Sequence, residues 1–340
     1  MKKIVWLSFM IGFMLIVSAC SDDTSTGAEN SEAGSGEKTT VSVGYMPNFA
    51  SVNTVVAGMR TGAFEEQDIE VELVEFADGP TIIAALESGN LDIGYIGPGA
   101  HVLPIQGNSV IFAFSQLGNA DEVIGNTSAG VETIEDLEGK TVAVAAGTSS
   151  ETILDLTLAE VGLTTDDVEL VNMDASAIVT AMTSGSVDAA ATWSPNTNTI
   201  KNELGDKAIM LSNNSRYADI SPSISSWVVS PAYAEENRDI LLRYTKGLFN
   251  AADYRKDHLD EVAGWVAEEI AVSEDSVLEQ TDDGEWLGKN EILEIIEEGT
   301  MQDYYQTQKE NFIEAGSLTE EETLSVEDYV LFDLMTEAAQ

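Results

Sequence analysis

The sequence predicts an α/β protein of two lobes, each built on a parallel-type sheet, with a cleft between the lobes and a helical C-terminal third. Three observations carry this expectation. From Val41 to about Ser194, short runs rich in β-branched residues alternate with helical segments, the pattern of βαβ units. The pattern is written twice at an offset of 96 or 97 residues: Val168-Glu169-Leu170-Val171 echoes Val71-Glu72-Leu73-Val74, Ser184-Gly185 echoes Ser88-Gly89, and Asp188 echoes Asp92. A fixed internal offset marks a duplicated structural unit. After Pro231 the alternation stops and long amphipathic helices take over.

The chain opens with an address. Lys2 and Lys3 precede an apolar run, Ile4 to Val17, which is shorter than the roughly 20 residues a membrane-spanning helix needs and so reads as a signal peptide. It ends Val17-Ser18-Ala19-Cys20, which resembles the lipobox of bacterial lipoproteins; the resemblance implies cleavage before Cys20, lipidation of its thiol and anchoring to the membrane. Residues 1–20 are therefore expected to be a lipoprotein signal peptide. Ser21 to Thr40 is almost free of apolar side chains and cannot offset the entropy of ordering, so 21–40 is expected to be a flexible tether.

The body begins with a strand at Val41–Tyr45. A helix follows over Val52–Arg60, stopped near Gly62. A second strand spans Ile69–Phe76, and Pro80 opens a second helix that stops at Gly89. Leu91–Ile96 forms a third strand. The second half repeats the order: a strand at Thr141–Ala145, the turn Gly147-Thr148-Ser149-Ser150, a helix over Glu151–Val161, a strand at Val168–Val171, a helix around Ile178–Met182 and a strand from near Asp188. The C-terminal helices are expected at Arg238–Arg255, Leu259–Ile270, Lys289–Glu298, Met301–Ala315 and Glu327–Ala338.

Composition narrows the function. Sixty Asp and Glu face fifteen Lys and Arg, for a net charge of -45. Such a surface repels nucleic acid and anionic lipid headgroups, so neither is expected as a partner. A bias spread over the whole chain suits high salt, where self-repulsion is screened. The only cysteine, Cys20, excludes an internal disulfide and a cysteine-based metal site. The two histidines, His101 and His258, lie far apart, and no Ser-His-Asp or Cys-His set is evident. No metal, cofactor or catalytic residue is predicted.

Ligands of parallel sheets bind beyond the carboxyl ends of the strands. The loops that follow the strands are Met46–Ser51, Gly97–His101, Ser115–Asn119, Gly147–Ser150 and Trp193–Asn196. Lys and Arg are missing from all of them. Backbone N–H groups at helix starts bind oxyanions without a cation, and Gly97, Gly99, Thr148, Ser149 and Ser150 suit that role. Gln116 and Asn119 add side-chain donors, and Trp193 offers an apolar wall. Asn48, Phe49, Pro98 and Ser225 complete the candidate ligand-binding set.

Several phrases, read in order, carry a resemblance. They are Phe76-Ala77-Asp78-Gly79-Pro80, Ala85-Leu86-Glu87-Ser88-Gly89-Asn90-Leu91-Asp92-Ile93-Gly94, Ser115-Gln116-Leu117-Gly118-Asn119, Glu135-Asp136-Leu137-Glu138-Gly139-Lys140, Gly147-Thr148-Ser149-Ser150 and Ser226-Trp227-Val228-Val229. Over Val41–Tyr233 the chain resembles the substrate-binding proteins of sulfonate, taurine and nitrate ABC importers. The resemblance implies a type II periplasmic-binding-protein fold with lobe I at 41–125 plus 228–340, lobe II at 126–227, and crossings near Glu122–Glu132 and Pro222–Ser230. It also implies closure over a small organic anion such as an aliphatic sulfonate, docking on an ABC permease, a monomeric state, and a position on the outer face of the cytoplasmic membrane. In taurine binders an aspartate before the Trp-Val-Val phrase takes the ligand ammonium; here that position is Ser225, which weakens taurine. A binder of a thiamine-precursor pyrimidine, with Tyr45, Phe49, Tyr95 and Trp193 as stacking candidates, is the alternative. Nitrate or bicarbonate binding and a sensory ectodomain stay open. An enzyme of the related pyrimidine-synthase type is disfavoured by the export signal and the lack of a cysteine-rich motif.

Overall fold

The computed structural model describes residues 38–340. The expected signal peptide, lipidated Cys20 and nearly all of the tether lie outside these residues. The tether was expected to reach Thr40, but a strand already begins at Thr39.

Among the described residues, eleven strands form two sheets. They are β1 (Thr39–Tyr45), β2 (Ile69–Glu75), β3 (Ile93–Ile96), β4 (Val110–Gly118), β5 (Asp121–Asn126), β6 (Thr141–Val144), β7 (Glu169–Asn172), β8 (Ala189–Trp193), β9 (Ala208–Asn213), β10 (Ile224–Val229) and β11 (Gly284–Glu285). The first sheet runs β11-β4-β10-β3-β1-β2 and the second β7-β6-β8-β5-β9. In each, three parallel strands adjoin an antiparallel one: β10 beside β3 in the first sheet, β5 beside β8 in the second. The two sheets thus share one topology, as the internal repeat predicts, and the antiparallel strand is donated late in one and early in the other.

The expected crossings at 122–132 and 222–230 need correction. The chain leaves the first sheet after Gly118, enters the second at Asp121, and returns to the first at Ile224. Only Asn119 and Ala120 separate β4 from β5. Boundaries at 125/126 and 227/228 would cut through β5 and β10.

The middle strands of the second sheet are buried on both faces. Val123, Val142, Val144, Ala189 and Ala191 pack on one side, and Ile124, Ala143, Ala145 and Ala190 on the other. This explains the continuous apolar runs in its strands. The first sheet packs on one side against the C-terminal helices Arg238–Asp257, Thr300–Glu314 and Phe332–Ala339 through Tyr244, Leu248, Tyr305, Leu334 and Met335. The closing helix, expected unbroken over Glu327–Ala338, is split into Val326–Tyr329 and Phe332–Ala339. Val330 bridges to Ile111, and the Leu331 N–H donates to the Ile111 carbonyl at 2.9 Å, so the backbone leaves the helix to extend the sheet edge.

Local chemistry fixes the helices at the cleft. Asn48 caps helix Phe49–Thr61 by accepting from Ser51 N at 2.9 Å, Asp78 caps helix Gly79–Glu87 by accepting from Thr81 N at 2.9 Å, and Thr148 caps helix Ser149–Glu160. Pro80 sits in the first turn of its helix, where no N–H is needed. The duplication extends to single hydrogen bonds. Ser51 Oγ accepts from Met46 N at 3.1 Å, and Ser150 Oγ accepts from Ala145 N at 3.0 Å. Asp92 accepts from Ser42 N at 2.8 Å, and Asp188 accepts from Thr141 N at 3.0 Å.

Candidate functional site

A cavity of about 640 Å³, mouth included, lies between the two sheets beyond the carboxyl ends of β1, β2, β3, β6 and β8. This is where parallel sheets expose loops and helix starts to a ligand. Met46, Pro80, Tyr95, Pro98 and Trp193 give it apolar and aromatic walls. Asn48, Gln116, Asp121, Thr148, Ser149, Ser194, Ser225, Gln280 and Asp283 give it polar ones.

Of the sequence-predicted residues, Asn48, Gly97, Pro98, Gln116, Thr148, Ser149, Trp193 and Ser225 line the cavity. Two of them meet on adjacent strands: Gln116 of β4 pairs across from Ser225 of β10. Ser115–Gly118 is therefore strand rather than loop. The Gln116 side chain is held, because its Nε2 donates to the Tyr95 hydroxyl at 2.6 Å and its Oε1 accepts from Ser115. Burial keeps the Tyr95 phenol protonated, well above its ordinary range.

Four predicted residues do not line the cavity. Phe49 is fully buried and packs edge-on against Trp286 at 5.2 Å, so it supports the wall from behind. Ser150 is fully buried, and its hydroxyl is spent on the Ala145 backbone. Asn119 braces the crossing: its Oδ1 accepts from Ser215 N at 3.0 Å and Ser215 Oγ at 2.7 Å. Gly99 is where the two lobes touch. A Cβ on Gly99 would lie 2.1 Å from the carbonyl carbon of Thr148, inside van der Waals contact. His101, at the end of the same turn as Gly99, is buried. Its Nδ1–H donates to Gln308 Oε1 at 2.5 Å, Gln308 Nε2 donates to Pro98 O at 3.3 Å, and burial pushes its pKa down to about 4.

Sequence reasoning missed Asp121, Asp283, Gln280 and Ser194. Asp121 opens β5 and is 4% exposed. Burial pushes its pKa up to about 6, partly offset by the Ser149 and Asn214 side chains, and its Oδ1 has no hydrogen-bond partner among the described residues. Asp283 is likewise raised to about 6, first by burial, with the Ser194 hydroxyl pulling the other way. It stands beside β11, anchored where the Asn119 N–H donates to the Asp283 carbonyl at 2.6 Å. Gln280 Oε1 accepts from Phe49 N at 2.9 Å, tying this late segment to the start of helix Phe49–Thr61. In a chain with sixty acids nothing local marks Asp121 or Asp283; the turn Asp282-Asp283-Gly284 was the one available signal.

No Lys, Arg or His lines the cavity among the described residues. Lys201 is paired with Glu122 at 2.8 Å. Among the described residues there is no cluster of three metal-ligating side chains and no helix long and apolar enough to cross a membrane.

Comparison with known proteins agrees with this arrangement. The NMT1/THI5 like family model matches residues 48–261. A protein of Brucella abortus (strain 2308) named as a binding protein is 28% identical over 296 residues, covering 87% of this chain and 91% of the relative. A Bacillus subtilis (strain 168) protein named as binding aliphatic sulfonates is 30% identical over 213 residues, covering 61% and 62%. In three dimensions the chain is similar to the alkanesulfonate-binding protein SsuA from Xanthomonas axonopodis pv. citri bound to MOPS, with a TM-score of 0.64, 18% identity, and 87% and 99% coverage. It is also similar to the desulfurization enzyme DSZB, with a TM-score of 0.59, 15% identity, and 88% and 99% coverage. At these identities the structural likeness speaks for the fold.

Proposed function

The chain belongs to the NMT1/THI5 like family, and from that premise we propose that it is the extracytoplasmic solute-binding component of an ABC importer, holding one small organic solute between its two lobes. The observation that carries this reading is the cavity itself. It is sheltered, walled by Tyr95 and Trp193, rimmed by side chains from both sheets, and set where the strands of each sheet end. The binding proteins among its relatives support the same role.

The lobes are the two sheets with their helices, and the solute closes them by binding the closed arrangement more tightly than the open one. The Gly99–Thr148 contact is the closed rim. The closed form then docks on a permease, with Cys20 anchoring the chain outside the cytoplasmic membrane. No catalytic step is assigned.

The aliphatic-sulfonate reading draws support from the Bacillus subtilis relative and from Thr148 and Ser149 at the start of helix Ser149–Glu160. The two cavity carboxyls run against a lone anion. A thermal-shift screen with alkanesulfonates, taurine, nitrate, bicarbonate and thiamine-precursor pyrimidines tests the role. A bound solute at 100 times its dissociation constant stabilises by about 2.7 kcal/mol, a plain upward shift of the melting temperature. A flat response across the panel and a wider metabolite set would refute solute binding.

A further inference from the structure

The cavity carries two carboxyl groups, and one of them stands beside the helix start that would receive an oxyanion. Asp121 and Ser149, the first residue of helix Ser149–Glu160, line the same cavity, and the Ser149 side chain partly offsets the burial of the Asp121 carboxyl. Asp121 is nonetheless left with one buried oxygen that no described group satisfies, a costly state for a desolvated carboxylate. A second acid, Asp283, reaches the same cavity from a distant part of the chain. It is held there by the backbone bond from Asn119 and by the pairing of Gly284 with Gly118. Lys201, which acts on Asp283 through space, does not line the cavity and is itself bound to Glu122 at 2.8 Å. Two acids from separate elements, one buried with a free acceptor, and no lining cation make a receptor for positive charge.

We propose that the solute presents a positively charged nitrogen centre, of the amine or amidinium class, which Asp121 and Asp283 take together. This rests on the reading of the cavity as a solute site and gives that site its chemical preference. The rest of the solute lies against Tyr95, Pro80, Pro98 and Trp193, a lining that suits a flat or short apolar body. A sulfonate alone would set a third negative group against the two carboxyls.

Three probes of like shape and different charge test this: benzamidine, benzamide and benzenesulfonate, titrated calorimetrically into the purified protein at pH 7.5. Sodium chloride at 0.5 M screens the acidic surface. Saturable one-to-one binding of benzamidine, at least tenfold tighter than benzamide, with benzenesulfonate weakest, is the expected order. Asp121→Asn and Asp283→Asn are each expected to remove the preference while retaining cooperative thermal unfolding; two variants guard against one failing to fold. Benzenesulfonate binding as tightly as benzamidine overturns the proposal. So does a benzamidine preference that survives in both variants. If none of the three binds while an alkanesulfonate, nitrate or bicarbonate does, the cationic preference falls and the solute-binding role stands. If nothing in either set binds, both fall.

Discussion

The buried environment of Asp121 gives it a pH signature. Its pKa rises from the ordinary 3.8 to about 6 because burial penalises the charged form, with Glu122 adding to the rise and Ser149 and Asn214 opposing it. Asp283 moves in the same direction, pushed further by Glu122 and Asp121 and restrained by Lys201. A folded-state pKa above the unfolded one means stability that is complete below about pH 4 and is lost as pH rises through about 6. The solute-free protein should therefore lose stability between pH 4 and 6.5, by about 2–3 kcal/mol for Asp121 at 1.36 kcal/mol per pKa unit, as read by urea midpoints. Asp121→Asn should flatten that slope and raise the urea midpoint at pH 7.5; an unchanged slope would mean that the carboxyl is already satisfied. Neither acid was legible in the sequence, because burial is a property of the assembled fold and a chain with sixty acids offers no contrast. Thr148, Ser149 and Asn48 were legible, because a cap or helix-start residue directly after a strand is a local signal, whereas Trp193, read as the start of a loop, is the last residue of β8.

At the scale of elements, the repeat predicts matched roles, and the matched bonds can be broken one at a time. Asp92 holds the Ser42 N–H at 2.8 Å and the Ser42 hydroxyl at 2.7 Å, while its counterpart Asp188 holds the Thr141 N–H at 3.0 Å. Replacing either by Ala should cost about 1–3 kcal/mol, with Asp92→Ala the more damaging, measured by chemical denaturation. Gly99 belongs to the turn Pro98–His101, which meets the start of helix Ser149–Glu160. Gly99→Ala has no room for its Cβ while the lobes touch. It should keep the melting temperature within a few degrees yet weaken solute binding at least tenfold, about 1.4 kcal/mol, and small-angle scattering should report a larger radius with solute present. Wild-type affinity in this variant would mean that the Gly99 contact is not part of the bound state. The helices were readable from caps, glycines and apolar spacing. The passage from β4 to β5 was not, because Ser115, Gln116 and Asp121 interrupt the apolar pattern where the strands serve the cavity.

Over the whole molecule, the net charge of -45 and the shared topology of the two sheets act together. Surface ion pairs such as Arg60–Glu268 at 2.8 Å and Lys38–Glu65 at 2.6 Å are exposed and add little. Like-charge repulsion between the lobes therefore opposes closure and is screened by salt. The melting temperature should rise by several degrees between 0.05 and 1 M sodium chloride; a maximum in dilute buffer would contradict this. The two-lobed architecture was legible because duplication leaves a long-range register in the sequence, whereas the exact crossings depend on strand pairings that no local signal encodes. The central claim, one solute held between both lobes, is tested most directly by hydrogen–deuterium exchange with and without the best-binding solute. Simultaneous protection is expected at 97–101, 116–121, 148–150, 193–196 and 280–283. Protection confined to one lobe, or lying outside these segments, would contradict it.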